Sequence, residues 1–186
     1  LLTLNYSCDT KNKSGIANNE ISYKNYESIG QNWKSRTVSH FGTDIIYRAT
    51  EVPKNYFFTK NLKGTPEHID SIVENTGMER IIEFEFENSN GEDLLESQFT
   101  KMDYDDSVIY LANTIQDDFK IVTSSNDTLP CIGVQLERHF QVTPFKRLLL
   151  FFNGVPENEN IKLIYQDKLF KNGIFKFLLN ENLLEL

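Results

Sequence analysis

The strongest nucleophile in the interior of this sequence is the thiol of Cys131, and a thiol becomes reactive only beside a group that lowers its pKa. The nearest histidine downstream, His139, is eight residues away, which along an extended strand at about 3.3 Å per residue is about 26 Å. Cys131 therefore reads as an unpaired structural cysteine. The three histidines, His40, His68 and His139, are scattered, with neither the HxH nor the HExxH spacing that places two imidazoles on one metal. Glu137-Arg138-His139 joins an acid, a cation and an imidazole, but such side chains on a strand more often serve cross-strand ion pairing.

Acidic side chains are numerous, and they concentrate between residues 92 and 118: Glu92, Asp93, Glu96, Asp103, Asp105, Asp106, Asp117 and Asp118. Asn88-Ser-Asn-Gly-Glu-Asp93 and Asp103-Tyr-Asp-Asp106 offer oxygens of the kind calcium takes, without the bidentate Glu that closes a calcium loop, so both read as solvated acidic loops. Glycoside hydrolysis needs two carboxylates held roughly 5 to 9.5 Å apart, and nothing in the spacing pairs any two. No glycine-rich phosphate loop or GxSxG elbow occurs. The sequence thus assigns no catalytic, cofactor or metal residue. Trp33, the one tryptophan, reads as a pin between a polar arm and the domain, with a sugar-stacking platform as the other use of such a ring.

The elements that would position these groups read as strands. Ile82, Phe84 and Phe86 alternate with Glu83, Glu85 and Glu87, and Ile132, Val134, Leu136 and Phe140 share one parity, so each segment has an apolar and a wetter side. Residues 148–152 form a continuous apolar run, as in a strand covered on both faces. Asn153-Gly154 and Asn172-Gly173 supply turns around strands at 161–165 and 174–179. Two more strands are expected at 43–48 and 56–62. The 66–76 segment has a Thr65-Pro66 helix start but is read as a strand feeding a short hairpin, and 107–115 fits a helix or a strand equally. Scarce alanine and abundant Phe and Tyr favour pleated structure.

A net charge of −8 with no basic stripe argues against a nucleic-acid partner and against electrostatic attraction to an acidic bilayer. Residues 1–8 resemble the end of a lipoprotein signal peptide, with Ser7 before Cys8 and the polar run Asp9-Thr-Lys-Asn-Lys-Ser-Gly15 after it; Cys8 is the expected lipidation site. Residues 9–42 are polar and read as a tether and irregular arm, followed by a sandwich domain over 43–186. The triplets Asp70-Ser-Ile72, Asp106-Ser-Val108 and Asp127-Thr-Leu129 are similar to O-glycosylation acceptors of Gram-negative envelope proteins, a hint toward export.

Asn126-Asp-Thr-Leu-Pro-Cys131, Glu137-Arg-His-Phe140, Pro144-Phe-Lys-Arg-Leu148 and the run from Tyr165 to Gly173 resemble an uncharacterised family of Gram-negative envelope lipoproteins, over about residues 70 to 180. The resemblance implies a small β-rich, immunoglobulin-like domain and no known activity. The expectation is an all-β antiparallel sandwich with at most one or two short helices, anchored in the cell envelope through Cys8 and acting as a non-catalytic binding or accessory module. Its partner is expected to be a protein of the envelope. A carbohydrate-binding or carbohydrate-active surface protein and a structural subunit of an envelope complex are the alternatives.

Overall fold

The computed structural model describes residues 19–28, 31–62, 66–76, 79–137, 145–156, 159–179 and 184–185. Two antiparallel sheets pack face to face, as the alternating apolar pattern requires. The larger begins as a meander of β1 (Asn19–Ser28), β2 (Gln31–Phe41), β3 (Ile45–Val52) and β4 (Arg80–Asn88). It continues through β8 (Phe145–Phe152) to β7 (Gly133–Glu137), and a short terminal strand β11 (Leu184–Glu185) also pairs with β2. The smaller sheet runs β10 (Gly173–Leu179), β9 (Ile161–Asp167), β5 (Phe119–Thr123), β6 (Thr128–Pro130). The layering is that of a sandwich; four consecutive strands in one sheet are a strand order of its own, since immunoglobulin domains distribute their early strands over both sheets.

Ile82, Phe84 and Phe86 of β4 point inward, as their parity predicts, and meet Phe119, Tyr165 and Phe177 of the small sheet. Phe84 is fully buried, with its ring centroid 4.9 Å from that of Phe119, 5.2 Å from Tyr165 and 5.3 Å from Phe177. Offset and edge-on contacts of this kind add to the area term, itself about 1.5–3 kcal/mol for a fully buried Phe. The apolar run of β8 is doubly covered as expected: Leu148, Leu150 and Phe152 enter the main core, while Leu149 and Phe151 join a second cluster on the opposite face.

Four expectations are corrected. Residues 19–41 are not an irregular arm: from Asn19 to Phe41, β1 and β2 pair in a continuous register running from Asn19↔His40 to Ser28↔Gln31. Low mean hydropathy misleads here because β1 is a largely exposed edge strand, where polar residues suit, and β2 buries small polar side chains such as Ser35, Thr37 and Ser39. Residues 54–61 form helix α1 (Lys54–Asn61) rather than a strand; Tyr56 and Phe57 are used to cover the outward face of the large sheet, a tertiary contact that overrides their strand preference. Pro66–Thr76 is helix α2, so the Pro66 start signal prevails over the strand reading. With the short α3 (Ser97–Thr100) and α4 (Tyr104–Ile109), the helices number four rather than one or two. Helix α4 continues through a wider turn at Tyr110–Thr114 and a tighter one at Ile115–Asp118, which decides the ambiguous 107–115 segment as helical and buries Leu111 and Ile115.

The chain changes sheets at Cys131-Ile132. The Cys131 amide donates to the Phe119 carbonyl of the small sheet, and the next amide, of Ile132, donates to the Phe151 carbonyl of the large one. Val134 and Leu136 then pack on the core as their alternation predicts, but Ile132, at the crossing, is 52% exposed. Phe140 lies outside the described residues.

Candidate functional site

One end of the sandwich is built around Asp167, the last residue of β9, which points inward because β9 buries its odd-numbered positions. Its carboxylate accepts from the Tyr47 hydroxyl at 2.8 Å and the Tyr165 hydroxyl at 2.9 Å. It also accepts from the backbone amides of Phe170 at 2.9 Å and Asn172 at 3.1 Å. The amide group of Asn172 in turn donates to the Tyr47 oxygen at 2.7 Å. Burial and the adjacent Asp167 charge push both tyrosine hydroxyls well above their ordinary pKa, so they stay protonated and donate. Four donors converge on one carboxylate, which leaves it saturated as an acceptor and occupied in shaping the Lys168–Asn172 turn.

Beside this network opens a cleft of about 120 Å³ lined by Thr43, Asp44, Ile45, Gln98, Phe99, Phe170 and Asn172. Small-molecule sites usually enclose roughly 300–1,000 Å³. The acidic segment frames the same region by internal pairing. Asp93 meets Lys146 at 3.0 Å and accepts the Leu95 amide; burial opposes its ionisation, but these donors prevail and hold its carboxyl below the ordinary range. Asp118 is buried, paired with Lys168 at 2.6 Å and bonded by the Tyr110 hydroxyl. Asp105 and Asp106 sit in the first turn of α4, where the helix dipole favours them.

The outward face of the large sheet carries a second charged constellation. Arg147 on β8 reaches Glu85 at 2.5 Å and Glu137 at 3.1 Å and lies 3.5 Å from Glu83, while Lys24 on β1 closes on Glu83 and Arg48 on β3 on Glu87. These are the cross-strand pairs that alternate Glu on β4 makes possible, since Glu85 stands between Arg48 and Arg147 in the ladder. At the opposite end from Asp167, Arg80 and Glu51 form a buried two-pronged pair, and the Arg80 guanidinium also donates to the carbonyls of Pro156 and Glu159.

The individual residues singled out by type take structural places. Cys131 is buried in the main core, its thiol donating to the Gly133 carbonyl at 3.1 Å; burial pushes the thiol pKa up, against reactivity. His40 is buried, donates from Nε2 to the Lys176 carbonyl at 2.8 Å and packs edge-on against Phe177 at 4.5 Å. Trp33 is buried with Tyr26, Val52, Ile81 and Leu149, so its ring is not a sugar platform. His68 is exposed on α2. The Asn88 side chain caps its own turn, accepting from the Asn90 amide at 2.7 Å. Among the glycosylation triplets, Ser107 is fully buried and bonded to Thr100 at 2.9 Å, whereas Ser71 and Thr128 are exposed. Cys8, Arg138 and His139 lie outside the described residues. Among the described residues, no three His, Cys, Asp or Glu side chains gather in a way that could hold a metal, and no helix is long and apolar enough to cross a membrane.

Sequence reasoning missed the Asp167 network, and it also missed a grouping on the outward face of the small sheet. Outward positions there are Lys120 and Val122 on β5, Lys162, Ile164 and Gln166 on β9, and Ile174, Lys176 and Leu178 on β10. The three lysines are far apart in sequence and become neighbours only through strand pairing.

No family model matches the chain, and no curated protein or solved structure is similar to it at a significant level.

Proposed function

We propose that this protein is a non-catalytic binding or accessory module of the cell envelope, tethered through a lipid on Cys8 and presenting its sandwich to an envelope protein. The observation that carries the non-catalytic part is the saturation of the Asp167 carboxylate by two tyrosine hydroxyls and two backbone amides, which leaves this buried acidic centre with no free valence for a substrate. The charged face of the large sheet supports the same reading, because its acids are engaged by Arg147, Lys24 and Arg48. The tether rests on Ser7-Cys8 and the polar residues after it, and the envelope-lipoprotein family on the strand and turn motifs between residues 126 and 173.

Expression with the complete native N-terminus, followed by intact-mass measurement and detergent partitioning, tests the tether. A diacyl or triacyl product beginning at Cys8 and entering the detergent phase is expected. An unmodified chain that retains residues 1–7 overturns it.

A further inference from the structure

The two outward faces of the sandwich are electrically unlike. On the large sheet the lysine and arginine side chains of Lys24, Arg48 and Arg147 are each paired with a glutamate. On the small sheet, Lys120, Lys162 and Lys176 point outward and make no ion pair among the described residues, and none of the four strands carries Asp or Glu at an outward position. The register Lys176↔Ile164↔Lys120 sets two lysines on either side of an isoleucine, and Leu178↔Lys162↔Val122 places the third lysine in the adjacent row. Ile174 is 63% and Leu178 44% exposed on the outermost strand. A chain of net charge −8 thus gathers lysines and exposed aliphatics on one face, with no ion pair to them among the described residues.

We infer that this face lies against an anionic lipid surface. The inference rests on the lipid tether for its proximity to a bilayer, and two observations point to lipid as the occupant. The face sets lysines beside apolar residues, so that lysine stems can lie over those neighbours while their ammonium groups reach phosphate. Only residues 9–18 separate Cys8 from the first strand, and ten residues span at most about 35 Å, so an acyl chain on Cys8 keeps the domain at the membrane. The net negative charge elsewhere repels an anionic surface and so favours this face for the contact.

The test uses the full chain with Cys8→Ser, so that acylation contributes nothing, in flotation with vesicles of phosphatidylglycerol and phosphatidylcholine and with phosphatidylcholine alone. Association with the anionic vesicles is expected at 25 mM NaCl, with little on the neutral ones and a steep loss by 0.5 M NaCl. Lys120→Gln/Lys162→Gln/Lys176→Gln should weaken it at least tenfold, given a contribution of about 1 kcal/mol per lysine near an anionic surface. The single variant Lys176→Gln, which should weaken association severalfold, keeps the test sound if the triple variant fails to fold. No anionic preference at low salt, or undiminished association of the variants, overturns the inference. So does lysine-dependent binding of polyglutamate without vesicle binding, which would assign the face to an acidic protein. Because Cys8 is absent from the assay, its outcome is separate from whether Cys8 is acylated.

Discussion

Tyr47 donates its hydroxyl to Asp167 across the sandwich at 2.8 Å, joining β3 of the large sheet to β9 of the small one through residues 120 apart in sequence. The bond is buried and charge-assisted, so it contributes more than a surface contact. Tyr47→Phe should cost about 1.5–3 kcal/mol in urea-denaturation stability. Asp167→Ala should cost more, because it strands the Tyr165 hydroxyl and two backbone amides as well. A double-mutant cycle that gives no coupling between positions 47 and 167 would show that the bond does not hold the sheets together.

Arg80 and Glu51 pose a different case, since a buried ion pair is costly to break and less costly to replace whole. Arg80→Ala takes the guanidinium from the buried Glu51 carboxylate and from the carbonyls of Pro156 and Glu159, a loss of about 3–5 kcal/mol. The pair Arg80→Met with Glu51→Leu should recover a good part of that loss. Thermal melts of the two variants separate these outcomes.

His40 makes stability depend on pH. Burial holds its folded pKa below the ordinary value of about 6.5, outweighing the bond to the Lys176 carbonyl, which acts the other way. The unfolded chain therefore binds a proton first as pH falls, and stability should decline from about pH 7 downward until the folded state is protonated too. His40→Gln retains a donor for the carbonyl and should flatten the decline between pH 7.5 and 5, measured as urea midpoints against pH. An equally steep decline in the variant would place the pH dependence elsewhere.

Cys131 should resist alkylation by iodoacetamide in the native protein and react in denaturant, because its thiol is buried and its pKa raised by that burial. In a chain carrying Cys8→Ser, native-state labelling as fast as denatured labelling would contradict the buried position.

Alternation at β4 and β9, the continuous apolar run of β8 and the Asn172-Gly173 turn before β10 determined those strands from sequence, because each is a local property that pairing needs only to satisfy. The reading of Cys131 as a structural cysteine agrees with its burial, whereas Trp33, expected to pin a polar arm, is buried as part of β2 itself. Sequence reasoning did not reach the β1–β2 hairpin, whose polar side chains acquire strand structure only by pairing with each other and with β3. Nor did it reach α1, where Tyr56 and Phe57 are helical because the outward face of the large sheet offers Tyr26 and Phe151 to cover. The convergence on Asp167 and the gathering of Lys120, Lys162 and Lys176 were invisible for one reason. Both depend on which strands the fold sets beside or across from one another: Tyr47 reaches Asp167 from the other sheet, and the lysines meet through the register of β5, β9 and β10, neither of which is a property of any stretch of the chain.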